Sequence, residues 1–187
     1  MIVAGIDYST SSPAITITDT SKGGPTADNI LMFSTQPTKC RVGTFKDNTI
    51  IVNHIGKFPY PEFRNEYLAK WAVQILIDMK VDEINIEEYA VRAIGRITTV
   101  AENTGLLKYH MRKAGLTWIA RSIKTIKRDF CGNGNAKKEQ MIDAFVEKTG
   151  IHLNVDMNLK HEYDKPIDDL VDSYAIMCMS DNVEMIK

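Results

Sequence analysis

Two apolar runs that each stop on an acid organise the first half of this chain. Met1-Ile2-Val3-Ala4-Gly5-Ile6 ends at Asp7, and Ile84-Asn85-Ile86 ends at Glu87. The first reads as a fully buried strand. Ser11-Ser12-Pro13 carries turn chemistry, and Ala14-Ile15-Thr16-Ile17-Thr18 then alternates, which predicts an antiparallel hairpin. Ser21 to Asp28 reads as a loop. Strand-like segments follow at Ile30–Ser34 and Thr49–Asn53, the second after a Lys46-Asp47-Asn48 turn. Pro59 and Pro61 punctuate the approach to a helix over roughly Glu62–Met79, in which Tyr67, Trp71, Ile75 and Met79 share a helical stripe.

Beyond Glu87 the period lengthens. A helix is predicted near Thr98–Ala114, a short strand at Thr117–Ala120 and a basic helix at about Ser122–Phe130. Gly132-Asn133-Gly134 follows. Asn135 is placed to cap the next helix, roughly Ala136–Thr149, and Gly150 to end it. A polar loop leads to Pro166, a favoured first helical residue, and a helix to about Met179. Strands first, then helices alternating with strands, predict a mixed sheet with helices on both faces. With 187 residues, no repeats and no linker composition, the expectation is one α/β domain over 1–187.

A carboxylate at the end of a buried strand is costly unless a cation satisfies it. Asp169 and Asp172 lie at i,i+3 and share one helix face. With Asp7 and Glu87 they suggest a site for divalent metal, where two ions about 4 Å apart could drive in-line phosphodiester cleavage. First-turn acids also complement a helix dipole, which accounts equally well for Asp168 and Asp169. Asp172 sits a turn deeper. Glu88 would point to the opposite sheet face from Glu87.

The formal net charge of −1 conceals an asymmetry. From Arg92 to Lys138 eleven basic residues face only Glu102 and Asp129, a net of +9, so the remainder carries −10. One face tracking a polyphosphate and another region holding metal would produce that footprint. Solvated helix faces account for many of the lysines. Cys40, Cys131 and Cys178 are odd in number with no CxxC pair, which points to a reduced, intracellular setting and away from structural zinc. No apolar stretch approaches the roughly 20 residues needed to span a bilayer, and no secretory signal is expected. His54, His110, His152 and His161 have no ligand spacing.

Gly5-Ile6-Asp7 with its Ser/Thr-rich turn, Ile86-Glu87, and Asp169-Leu170-Val171-Asp172-Ser173-Tyr174-Ala175 resemble the signatures of the RuvC family of Holliday-junction resolvases. The stretch Ile126-Lys127-Arg128-Asp129-Phe130-Cys131-Gly132-Asn133-Gly134-Asn135-Ala136-Lys137-Lys138-Glu139-Gln140 resembles that family's basic helix, glycine turn and lysine-bearing helix. The resemblance implies an RNase H-like mixed five-stranded sheet flanked by helices on both faces. It implies a homodimer, and Mg²⁺- or Mn²⁺-dependent nicking of four-way junctions with two ions per site. Carried over, Asp7, Glu87, Asp169 and Asp172 would be the metal ligands and catalytic acids. Lys127 and Lys138 would lie near the scissile phosphate, with Lys138 catalytic and Lys124, Arg128, Lys137, Tyr89 and Arg92 as further DNA contacts.

Two departures stand out. About eighty residues separate Asp7 from Glu87, because of extra strand material between the second strand and the first long helix. The position three after Glu87, often aromatic in the family, is Ala90, with Tyr89 the nearest aromatic. The extended form is more like a bacteriophage version than a housekeeping one, acting in the cytoplasm. A two-fold junction calls for a C2 dimer, and the Thr98–Ala114 helix is the expected interface. Three other readings compete. A module that holds junctions without cutting them would require a broken acid set, and all four positions are acidic. A broader branched-DNA nuclease would act on flaps, forks or packaging intermediates. A sugar-kinase or actin-like nucleotide-binding protein would match Gly5-Ile6-Asp7-Tyr8-Ser9-Thr10-Ser11, but it needs two lobes and a second phosphate loop.

Overall fold

Strands β1 (Ile2–Asp7) and β6 (Glu83–Glu87) run parallel as neighbours in a seven-stranded sheet ordered β4-β5-β3-β2-β1-β6-β7. The remaining strands are β2 (Ala14–Asp19), β3 (Ile30–Gln36), β4 (Gly43–Phe45), β5 (Ile50–His54) and β7 (Ile119–Arg121). The computed structural model describes residues 1–37, 42–88, 97–161 and 164–184. β2 pairs antiparallel with β1 and β3, whereas β5 runs parallel to β3 and β7 to β6. So β1, β3, β5, β6 and β7 all end on the same edge of the sheet, the edge that carries Asp7 and Glu87.

The alternation of β1 decides which layer covers which face. Ala4 and Ile6 pack with the layer of α1 (Pro61–Asp78) and α2 (Ile97–Lys113). Val3 packs with the layer of α3 (Ile123–Cys131), α4 (Lys138–Thr149) and α6 (Ile167–Met177). Gly5 and Asp7 face this second layer by the same period. The loop before α6 contains one more turn of helix, α5 (Leu153–Asp156).

The expected mixed sheet with helices on both faces is present, as is the antiparallel hairpin of the first two strands. Among the described residues the sheet has seven strands, not five. The two additional ones, β4 and β5, lie beyond β3 in the segment marked as extra strand material. The turn before β5 adopts positive φ at Lys46, Asp47 and Asn48. Three local expectations need correction. The buried face of α1 is Leu68, Ala69, Ala72, Val73 and Leu76, while Tyr67 is exposed and Trp71, Ile75 and Met79 only flank the core. Asn135 does not cap α4. Lys137 occupies that position, where Gln140 accepts a hydrogen bond from its backbone N–H. Pro166 precedes α6 instead of opening it. Among the described residues no helix is long and apolar enough to cross a membrane.

Candidate metal centre and nucleic-acid interface

Gly5 sets the geometry of the site because α6 lies directly on it. A Cβ there would fall 2.1 Å from the Met177 backbone nitrogen and 2.2 Å from the Ser173 carbonyl oxygen. Only glycine allows that approach. Ser173 Oγ and Thr16 Oγ1 share a hydrogen bond of 2.7 Å at the crossing, and Thr16 sits opposite Gly5 in the β1–β2 register. The crossing fixes α6 along the strands. Its first two turns, with Asp168, Asp169 and Asp172, therefore overhang the ends of β1 and β6.

Ile6 pairs with Ile86, so Asp7 and Glu87 follow on neighbouring strand ends. Burial raises the Asp7 carboxyl well above its ordinary value, and the charges of Asp169, Asp172 and Glu87 raise it further. Burial and then Asp172 push Glu87 up to about 7. Asp172 rises to about 6 through burial and the charge of Asp168. Asp169 is raised by burial and by Asp168, against the hydrogen bonds of Lys165 and Ser12. The four acids from three distant chain segments thus share one electrostatic environment.

Asp168 has a different setting. Burial works against its charge, but the hydrogen bond from Lys138 and the ammonium of Lys165 hold its carboxyl below the usual value. Asp169 accepts from Ser12 Oγ at 2.6 Å, and Lys165 Nζ lies 2.7 Å from both of its oxygens and 3.1 Å from Asp168 Oδ1. Lys165 pairs with both carboxylates; Asp168 has Lys138 as a second cationic partner, while Asp169 is tied to the turn that follows Asp7. Ser12 and Lys165 were not singled out in the sequence. A serine in a turn and a lysine in a polar loop carry no periodic signal, although Lys165 at i−4 from Asp169 has the spacing of a helical ion pair.

The donor set suits a hard divalent cation: it offers carboxylate oxygens whose charges oppose one another and are only partly compensated. As the side chains stand, no three His, Cys, Asp or Glu among the described residues close around one point. Lys165 is the nearest cationic partner of Asp169.

Lys127 extends from α3 to donate to the Ala136 carbonyl at 2.8 Å, and its charge lowers the carboxyls of both Glu87 and Asp172. These three residues line a cleft of about 230 Å³ with Ile126 and Met141. Gly132 ends α3 in the left-handed conformation at φ 76°, which turns the chain back into α4. That reversal puts Lys138 against Asp168 from the other side. Lys124 and Lys137 are exposed on the same pair of helices, and Arg128 is exposed but tied to Asp129 at 2.7 Å. Tyr89 and Arg92, expected as DNA contacts, lie outside the described residues, as does Ala90.

No family model matches the chain, and no curated protein matches it. Solved structures do. A structure of RuvC from Thermus thermophilus matches with a TM-score of 0.56 at 17% identity, over 95% of this chain and 91% of that one. The T. thermophilus RuvC in complex with a Holliday junction substrate matches with a TM-score of 0.59 at 15% identity, over 95% of this chain and 90% of that one. The chain has a RuvC-like fold along nearly its whole length.

Proposed function

We propose that this chain is a homodimeric, metal-dependent endonuclease that resolves four-way DNA junctions by paired nicks, as one nuclease domain over residues 1–187. The observation that carries the reading is the meeting of Asp7, Glu87, Asp169 and Asp172 at one sheet edge, each raised by burial and by its neighbours' charge. The likeness to a RuvC bound to a Holliday junction supports the substrate.

Asp7, Glu87, Asp169 and Asp172 would hold two Mg²⁺ or Mn²⁺ ions. Bound there, the ions would supply an activated water and stabilise the leaving oxygen. Water adds to phosphorus, the P–O3′ bond breaks, and the products are a 3′-hydroxyl and a 5′-phosphate. Ser12 fixes the orientation of Asp169 through its 2.6 Å hydrogen bond. Lys127, beside Glu87 and Asp172, and Lys138, against Asp168, place positive charge where the phosphate would lie. Lys124 and Lys137 extend that charge outward along α3 and α4, with Arg128, Tyr89 and Arg92 as further contacts.

A four-way junction is pseudo-two-fold, and a C2 dimer presents two sites to it. The outer face of α2, where Thr98, Ala101, Gly105 and Tyr109 are exposed, is the proposed dimer surface. Light scattering at micromolar protein should give twice the 21.1 kDa chain mass. A nicking assay on junction, flap, fork and linear duplex DNA with Mg²⁺ or Mn²⁺ tests the activity. The expected result is junction cutting by the wild-type chain and none by Asp7→Asn. Equal cutting by the variant would remove the metal assignment. Preferential cutting of flaps or forks would favour a broader branched-DNA nuclease.

A further inference from the structure

A second feature lies on the sheet edge that carries the carboxylates, in the segment that lengthens this chain between β2 and α1. A groove of about 370 Å³ opens there between the Ser11 turn, Pro37 after β3, Ile55 and Phe58 after β5, and Tyr60 and Arg64 at the start of α1. Phe58 and Tyr60 are its aromatic lining. Tyr60 is 63% exposed, and the neighbouring Phe63 and Tyr67 are 54% and 43% exposed. Tyr60 lies against Phe63 with ring centroids 6.1 Å apart, and Tyr67 against Phe58 at 5.4 Å. Tyr60, Phe63 and Tyr67 are thus each in contact with a neighbouring ring and still largely exposed.

The groove is also cationic. Lys57 and Arg64 line it, and the buried Nε of Arg64 has no hydrogen-bond partner among the described residues. The 18-residue helix α1 begins here, with Pro61 in its first turn and no side-chain cap from Tyr60. Its first backbone N–H groups therefore point at the groove with the positive end of the helix dipole. Glu62 is the one acid in that turn, and Glu66 is occupied by Lys70 at 2.6 Å.

We propose that this groove is a second DNA subsite. It would hold a backbone phosphate against Lys57, Arg64 and the first turn of α1, and stack an unpaired base on Tyr60 or Phe63. The inference rests on the reading of the chain as a branched-DNA nuclease. β5 is the third strand from β1, so the Lys57 side of the groove lies about 14 Å from Asp7 at ~4.8 Å per strand, with the Ser11 turn between them. That is about four base steps at ~3.4 Å each, a reach that one DNA strand spans without a break. Aromatic faces combined with cations are the chemistry that binds single-stranded nucleic acid without sequence readout. A second copy of the chain fits less well. A two-fold axis through this patch would set Lys57 and Arg64 against their own equivalents.

The test uses the full chain in an Asp7→Asn background, which binds without cutting, and a DNA fork with one unpaired arm. The arm carries 2-aminopurine at successive positions from the branch. Tyr60→Ala and Lys57→Ala should each weaken binding by about tenfold in fluorescence anisotropy. Quenching of the probe near the fourth unpaired position should vanish in Tyr60→Ala and return in Tyr60→Trp. Both side chains are exposed, so the variants should fold. If the parent chain binds and cuts branched DNA but the variants bind equally well with the probe still quenched, the groove proposal is overturned and the nuclease reading stands. If the parent binds no branched DNA at all, both fail. A shift from dimer to monomer in Tyr60→Ala would also overturn the proposal, in favour of a contact between copies.

Discussion

Lys165 Nζ lies 2.7 Å from both oxygens of Asp169, so it neutralises charge that a divalent ion would otherwise meet. Lysine and metal would compete for those oxygens. Removing the ammonium in Lys165→Met should strengthen Mn²⁺ binding by about tenfold in calorimetry, on the scale of one close charge interaction in a half-buried site. Unchanged affinity would mean that Lys165 stays paired while metal binds. The carboxyls themselves predict a pH dependence. Glu87 moves from an ordinary 4.5 to about 7 and Asp172 from 3.8 to about 6 on folding. The folded chain therefore holds protons that the unfolded chain releases. Stability from these groups is complete below about pH 4 and is lost as pH rises through about 6 to 7. Asp168, held low, works the opposite way at more acid pH. In EDTA the melting temperature should peak near about pH 4 and fall towards pH 8, and Mg²⁺ should recover most of the loss at pH 8. A flat profile would contradict the shared field of the cluster. Sequence spacing left Asp168 and Asp169 as equal candidates, since both are first-turn acids. The structure separates them by partners that lie 30 and 157 residues away, Lys138 and Ser12.

The docking of α6 on β1 brings carboxylates from separate segments within reach of one another's charge. Gly5 permits it, with no room for a methyl group between the strand and the Ser173 and Met177 backbone. Gly5→Ala should force the helix off the sheet and cost about 3 kcal/mol or more, since backbone on both sides cannot yield. For a chain of this size that corresponds to a fall of roughly 6–12 °C in melting temperature. Metal affinity should drop with it, because Asp169 and Asp172 ride on α6. A variant that melts like the wild type would show that the helix sits further from the strand. Elements with a clear period were legible in the sequence: β1, β2, α2, α3 and the ends of β6 and α4 fall within a few residues of expectation. The buried face of α1 was not. Its bulkiest apolar residues make a tempting stripe, but the close packing of α1 against α2 selects small Ala69 and Ala72 instead. The aromatic residues are left on the outside, where the groove begins. Asn135 as a cap failed for a related reason. Its side chain lies in the tight turn after Gly132, where Asn133 instead accepts from the Asn135 backbone.

At the scale of the molecule, the parallel strands bring two unlike charge regions to one edge. The carboxylates lie between β1 and α6, and the basic pair α3–α4 flanks them on the same face. The charge count alone separated +9 from −10 along the chain but could not show that the two regions meet. They meet because β6 and β7 run parallel to β1, which brings the chain into α3 from the edge where Glu87 ends. Lys127 and Lys138 are partly engaged with acids, so their charge is committed locally. Lys124 and Lys137 are exposed and would carry the long-range attraction to phosphate. Each lysine on a phosphate releases condensed counterions and adds about 0.9 to the slope of log affinity against log salt. The double variant Lys124→Ala/Lys137→Ala should therefore reduce that slope by nearly two per chain for junction DNA between about 50 and 200 mM KCl. Melting temperature should be unchanged, because both side chains stand in solvent. Anisotropy titrations in Ca²⁺ measure the slope without turnover. A slope equal to that of the wild type would place the DNA on another face of the molecule, and with it the assignment of α3 and α4 as the phosphate-binding wall would fall.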